Sequence, residues 1–299
     1  MKMNISPLHR EGAGVGQYIA TLTIAGSDSS GGAGIQADIK TMSALGCYAA
    51  SAITAITVQN TLGVTAVHAV PPEIVAGQIK AVMDDIGPRA VKIGMVNDAA
   101  TIHAIAETLR QYSLTHLVVD PVMVATSGSR LMQDDAVEVF CRELLPLATL
   151  LTPNVPEAEV LSGIKITDKA TMDKASRCVL QLGCNNLLIK GGHLAGQKVD
   201  RLYGEVEREY VGENVATRNT HGTGCSLSSA ITSFLAQGFA TDEAIGKAKE
   251  WLTEALKAGA DVEIGHGHGP VNHFFNPRRT IILTQDSSLF THHSSLKKI

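Results

Sequence analysis

Short apolar runs and amphipathic stretches alternate along the whole chain. The run YIATLTIAG closes at Gly26, and GIQADIKTMSALG then sets Ile35, Ile39, Met42 and Leu45 at helical spacing before Gly46. PPEIVAGQIKAVMDDIG places Ile74, Val75, Ile79, Val82, Met83 and Ile86 on one face, with Pro72 suited to a first helical turn. AVKIG and HLVVDPV read as short buried strands around a helix bearing Ile102, Ile105 and Leu109. The strand ATLLTPN leads into a helix at VPEAEVLSG, and NLLIKGG repeats the strand-to-loop pattern. TDEAIGKAKEWLTEALKAG predicts a helix with Thr241 as N-cap, acids in its first turn and Gly259 past its end. Such alternation predicts βαβ units and an α/β fold on a mostly parallel sheet.

No change of composition divides residues 18–275, so the pattern predicts one doubly wound domain there. Residues 50–70 and 199–216 read as extra strands at a sheet edge. No fixed charge occurs between Lys40 and Glu73, but Gly46, Gln59, Asn60 and Gly63 interrupt that run. It never offers the about 18 clean apolar residues of a membrane span, and buried strands are the expectation. Residues 1–17 carry no apolar signal-like region, and with residues 276–299 they read as loosely held extensions.

Composition narrows the function. Of 299 residues 44% are hydrophobic but only 4% aromatic, so the core is aliphatic. A net charge of −4 without a basic stripe argues against nucleic-acid binding. The five cysteines form no CxxC pair and read as reduced thiols of a cytoplasmic protein.

Ligands of open parallel sheets bind beyond the carboxyl ends of the strands. The segments there are GSDSSGGAG, GMVND, DPVMVATSG, TPNVPEAE, KGGH and NTHGTGC. In the last, Gly222, Thr223 and Gly224 open a helix whose free N–H groups form an anion site, unless the glycines serve an ordinary turn. Cys225 in that first turn is expected to have a thiol pKa lowered by the helix dipole, or else to be a small buried hydrophobe. Asp120, Asn154 and Glu157 are of the type that holds Mg²⁺ directly or through water, while Asp120 and Glu157 also suit helix capping. Lys190 either meets phosphate or extends to solvent. Gln59 lies at the end of an uncharged strand expected to be buried, where an amide needs partners from backbone or from ligand. No P-loop, nucleophile elbow or correctly placed dinucleotide fingerprint occurs: GAGVG near residues 12–16 precedes the first strand. The three histidines of HGHGPVNH lack acid or thiol neighbours and argue against zinc.

Taken in order, LTIAGSDSSGGAGIQADIKT, TAITVQNTLGV, KIGM, DPVM, TPNVPEAE, KGGH, NTHGTGC and HGHGPVNHF resemble the hydroxymethylpyrimidine/phosphomethylpyrimidine kinases of thiamin biosynthesis, in the ribokinase-like superfamily. The resemblance spans about residues 20–275. It implies a three-layer sandwich and ATP- and Mg²⁺-dependent phosphorylation of 4-amino-5-hydroxymethyl-2-methylpyrimidine, then of its monophosphate. It also implies roles for residues: Cys225 near the attacking hydroxyl, Lys190 on the moving phosphate, Asp120, Glu157 and Asn154 around metal. Gly26, Asp38, Gln59, Met95 and Val122 would meet the pyrimidine, with the Gln59 carbonyl accepting from the 4-amino group and its NH₂ donating to the ring nitrogen. A pyridoxal/pyridoxine kinase and a non-catalytic pyrimidine sensor are the alternatives, and a dehydrogenase lacks its fingerprint. Partners are then small molecules, with a homodimer compatible and no membrane.

Overall fold

A computed structural model describes residues 16–123, 132–191 and 199–284. The loop expectations at residues 12–15, 124–128 and 192–193 lie outside the described residues.

Six strands run parallel: β2 (Ala20–Asp28), β3 (Tyr48–Asn60), β5 (Ala90–Ile93), β6 (Leu117–Val119), β7 (Leu150–Leu151) and β8 (Asn186–Ile189). At one edge β4 (Gly63–Ala69) folds back antiparallel on β3. At the other, β9 (Val199–Tyr203) and β10 (Arg208–Val211) extend the sheet antiparallel, giving the order β10-β9-β8-β7-β6-β5-β2-β3-β4. Alternate strand residues feed two cores. Leu117, Val119, Leu151, Leu187 and Ile189 face a cluster with α2 (Pro72–Asp85), α3 (Ala99–Leu109), α4 (Asp134–Val139), α5 (Val155–Ser162) and α6 (Lys169–Leu180). Val118, Leu150 and Leu188 face α7 (Thr223–Ala236) and α8 (Thr241–Gly259), with the end of α1 (Gly34–Ala44). Strands buried on both faces explain the unbroken apolar runs in the sequence. The sheet with its two helical layers is the ribokinase-like three-layer sandwich.

Side-chain caps set three of the helix starts. The Asp98 carboxylate accepts the Thr101 N–H at 2.8 Å to cap α3, and α5 and α6 open on reciprocal capping boxes, Asn154 with Glu157 and Asp168 with Thr171. Thr241 and Gly259 differ from expectation. Ala240 is the N-cap of α8 and Gly259 its last helical residue, because the threonine hydroxyl makes no capping bond.

Two further expectations need correction. The uncharged run is a β3–β4 hairpin with Ile56, Val58, Leu62 and Val67 exposed; Thr, Ser, Gln and Asn supply its polarity in place of charge. Within the carboxyl-terminal extension, residues 276–284 are tied to the domain. Its Ile282–Leu283 forms β11, antiparallel to β1 (Gln17–Tyr18), and Leu283 packs with Ile19, Met42 and Cys47.

Helix α7 is buried from Ser226 to Ala236 although rich in hydroxyls. Thr232 and Ser233 return their protons to the carbonyls of Ser228 and Ser229, both at 2.8 Å, so no hydroxyl there demands water. Ser229 instead donates to Asp38 at 2.7 Å. Asp38 also accepts from Thr23 at 2.6 Å and from Lys92 at 2.8 Å, and both charged groups are wholly buried. Burial alone would depress the Lys92 ammonium, but Asp38 overcomes this and holds it above the ordinary lysine range. This cluster ties α1, α7, β2 and β5 together beneath the sheet's carboxyl edge.

Breaking a buried pair strands a charge. Lys92→Met is expected to cost about 3–5 kcal/mol, and the double variant Lys92→Met/Asp38→Leu to recover part of that loss. Urea unfolding of the three proteins checks it: a double variant no more stable than Lys92→Met would show that the stranded carboxylate is not the cause.

Candidate active site

The chain order reverses between β2 and β5, and the carboxyl ends of the parallel strands open there onto a cavity of about 730 Å³. Gly26, Gln59, Met95, Asp120, Val122, Asn154, Glu157, Lys190, Gly222, Thr223, Gly224 and Cys225 all line it. Asp38 does not. It was expected at the pyrimidine, but it points inward from α1 and its oxygens are committed to Lys92, Thr23 and Ser229.

On one wall stands the start of α7. Gly222, the N-cap, has φ 75°, and a Cβ there would collide with the Gly32 carbonyl, so glycine is required twice over. Thr223 N–H is held by Thr220 O, and Ser226 N–H closes the first helical bond onto Gly222 O at 2.8 Å. The N–H groups of Gly224 and Cys225 remain, at the positive end of the helix dipole. Across from them, Lys190 at the end of β8 donates to Asp120 Oδ1 at 2.8 Å. A Cβ on Gly224 would lie 3.6 Å from both Asp120 Oδ2 and Lys190 Nζ, which shows how closely that pair faces the loop.

The electrostatics depart from expectation at Cys225. Burial pushes the thiol up to about 11, with Asp38 and Asp120 adding to the rise while Lys92 and the Gly34 N–H oppose it. The helix dipole does not lower it as predicted, because desolvation and two nearby carboxylates outweigh a partial charge. Burial also raises Glu157, to about 7, with Asp120 reinforcing and Lys190 opposing. Asp120 is depressed: burial would raise it, but Lys190 and Lys92 prevail. For Lys190 the carboxylates of Asp120 and Glu157 overcome the depressing effect of burial and hold the ammonium above its usual range.

The three residues expected around metal are adjacent but differently employed. Asn154 Oδ1 accepts the Glu157 N–H at 2.9 Å as the α5 cap, and Glu157 Oε2 returns the bond to Asn154 N–H at 2.8 Å. The Asn154 side chain is thus engaged as the α5 cap, as the Glu157 carboxylate is. Among the described residues no three His, Cys, Asp or Glu side chains converge as a metal cluster.

Gln59, at the end of β3, lines the same cavity next to His221, the residue before Gly222. One end of its amide is 3.1 Å from Thr57 Oγ1, the other 3.3 Å from His221 Nε2. His221 Nε2 is also 2.8 Å from Asp28 Oδ2. Burial would raise Asp28, but hydrogen bonds from His221, Ser30 and the Ala33 N–H bring it to about 2. Sequence reasoning left Asp28, His221 and Lys92 unassigned. Signals existed: GSDSSGGAG and NTHGTGC contain the first two, and a lysine inside the buried strand AVKI needs a carboxylate. Val160, Val215, Leu252 and Leu256 also line the cavity, an apolar wall unread in the sequence.

A family model described as phosphomethylpyrimidine kinase matches residues 28–272. Over 256 residues the chain is 52% identical to the hydroxymethylpyrimidine/phosphomethylpyrimidine kinase of Rhizobium meliloti, covering 85% of this chain and 96% of that one. It is 50% identical over 256 residues to a thiamine biosynthesis bifunctional protein of Geobacter sulfurreducens, covering 85% of this chain and 52% of that longer one. The pyridoxal kinase of Staphylococcus aureus, solved with AMP-PCP and pyridoxal, superposes with a TM-score of 0.79 at 33% identity, over 87% of this chain and 94% of that one. With the family model covering most of its length, the chain belongs to the phosphomethylpyrimidine kinase family.

Proposed function

We infer that the protein transfers the γ-phosphoryl group of ATP to the hydroxymethyl group of 4-amino-5-hydroxymethyl-2-methylpyrimidine, and then phosphorylates the monophosphate to the diphosphate. One observation carries this: a single cavity is lined by a helix-start anion site, a lysine beside it and a neutral amide. Phosphoryl transfer is mostly positioning and charge stabilisation, and those parts suit it. The Gly224 and Cys225 N–H groups face the moving phosphate, and Lys190 neutralises charge that develops on it. The apolar wall along α8 takes the nucleotide base. Gly26, Met95 and Val122 bound the pyrimidine; a Cβ on Gly26 would press on Met95 Cε at 2.7 Å.

Two carboxylates of unequal affinity for protons, Asp120 and Glu157, suit Mg²⁺ held through waters and phosphate oxygens. Mg²⁺, when bound, neutralises the phosphate oxygens. Cys225 sits beside the attacking hydroxyl, and its sulfur accepts the hydroxyl's hydrogen bond as a neutral thiol. A loose transition state needs little base.

The pyridoxal kinase reading rests on the Staphylococcus aureus similarity. Gln59 decides between the two substrates, since its two-bond pattern suits an aminopyrimidine and pyridoxal has no ring amine. The wild type is expected to favour the aminopyrimidine in kcat/KM, and Gln59→Met to erode that preference strongly. A preference for pyridoxal in the wild type would overturn the assignment.

Lys190→Met is expected to lower turnover with ATP while leaving pyrimidine affinity largely intact. Calorimetry of the pyrimidine beside ATP kinetics checks this, and lost pyrimidine affinity at unchanged turnover would move Lys190 to the wrong side of the site.

Cys225→Ala is expected to lower kcat by roughly tenfold, short of the about 10²–10⁴ that loss of a working general base costs. With the thiol near 11, it stays protonated from about pH 6 to 9. The kcat–pH profile of the wild type should therefore show no limb in that window that the variant abolishes. Such a limb would make the thiolate a base.

A further inference from the structure

We propose that His221, oriented by Asp28, is a specificity-determining positioning residue that fixes which way the Gln59 amide faces, carbonyl toward His221 and NH₂ toward Thr57. The proposal rests on the reading of Gln59 as the group that meets the aminopyrimidine.

The argument is a proton count. The Asp28 carboxylate accepts from Ser30 N–H at 2.8 Å, Ser30 Oγ at 2.7 Å and Ala33 N–H at 2.8 Å, so it is fixed as an acceptor. Its Oδ2 lies 2.8 Å from His221 Nε2, and two lone pairs cannot meet there. Nε2 therefore carries a proton. As placed, the amide sets Nε2 beside His221 and Oε1 beside Thr57; only an acceptor can share the His221 proton at 3.3 Å, so the amide is turned end for end and its near atom is Oε1.

The far end is compatible with the turned amide. Thr57 has one hydroxyl proton, and the Ser27 carbonyl lies 2.9 Å away to take it. What Thr57 Oγ1 then offers Gln59 at 3.1 Å is a lone pair, which a Gln59 N–H fills.

The imidazole has no freedom to abandon this role. Its backbone N–H is held by Gly269 O at 3.0 Å, and the ring lies so close over Gly32 that a Cβ there would overlap His221 Cδ2. Asp28 and His221 are both buried, while Gln59 lines the cavity. After these bonds Gln59 keeps one unused lone pair, on the His221 side, and one unused N–H, on the Thr57 side. A ring that presents a donor and then an acceptor in that order fits, as a 4-aminopyrimidine does with its amino group and adjacent nitrogen. The 4-oxo analogue presents an acceptor and an N–H, and is opposed at both atoms. A free glutamine would turn its amide over and bind either ring. The relay from Asp28 through His221 forbids the turn.

The test compares kcat/KM for 4-amino-5-hydroxymethyl-2-methylpyrimidine and its 4-oxo analogue in wild type, Gln59→Met, His221→Phe and His221→Gln. General damage to the neighbouring anion loop lowers both values and cancels in the ratio. The wild type is expected to favour the amino ring by on the order of 10² or more. His221→Phe should shrink the ratio at least about tenfold, because the amide is released. His221→Gln, which can return an N–H to the Nε2 position against Asp28, should restore most of it. A ratio unmoved in His221→Phe, with Gln59→Met effective, overturns the relay and spares the reading of Gln59. Loss of the ratio in both His221 variants also overturns it, since shape and not the proton would then matter. No amino preference in the wild type sinks both readings together.

Discussion

The buried ion pair between Lys92 and Asp38 is the constraint on which the site's geometry rests. An anion site made of backbone N–H groups works only if its helix cannot retreat when charge arrives. Asp38 receives Ser229 of α7, Thr23 of β2 and Lys92 of β5 on one carboxylate, so helix start and sheet edge are fixed to a common point. Placing an ion pair in an aliphatic interior is costly relative to hydrocarbon, and its gain here is position. The same ammonium spreads its field outward. It helps hold Asp120 ionised and opposes the rise of the Cys225 thiol.

Above that foundation the charges come in graded states. Asp120 stays a carboxylate beside two lysines, while Glu157, also buried and close to Asp120, is raised to about 7. Two like carboxylates in one low-dielectric pocket do not both ionise freely until positive charge joins them. The pocket is thus short of positive charge on the Glu157 side. On the anion side the backbone does the work, and Gly222 in its left-handed turn is what aims it.

Most of the framework was legible because parallel strands buried on both faces leave continuous apolar runs, and capped amphipathic helices leave periodic ones. What escaped has physical reasons. Gln17–Tyr18 and Ile282–Leu283 are two-residue strands, too short for any periodicity, so the part of the tail tied to the domain looked loose. The hairpin from Tyr48 to Ala69 lacks charge without being wholly buried: Ile56, Val58, Leu62 and Val67 stand exposed on it, and no local pattern separates such a strand from a buried one. Asp38 sits among strong site motifs, and only the rotation of α1 decides that it faces Lys92 and not the ligand. Cys225 was placed correctly on the cavity wall, but the sign of its pKa shift depended on burial and on carboxylates over 100 residues away in sequence. Asp28 and His221 stood in motifs that were noticed; their pairing spans 193 residues and no local pattern reports it.

The positions of Gln59 and His221 link recognition to chemistry. Gln59 belongs to the edge hairpin, whose tip is held by the glycine-rich segment near residue 267: Gly267 N–H donates to Thr61 Oγ1 at 3.1 Å and His268 N–H to Thr61 O at 3.0 Å. Close approach of that segment to Thr61 leaves no room for a Cβ at Gly267, which accounts for glycine in HGHG without any metal. His221 immediately precedes Gly222, the residue that turns the chain into α7. The group that orients the ring-reading amide is therefore covalently the neighbour of the group that aims the anion site. On the proposed reading, the ring is recognised beside the backbone that meets the phosphate, so discrimination between rings would show in kcat as well as in KM.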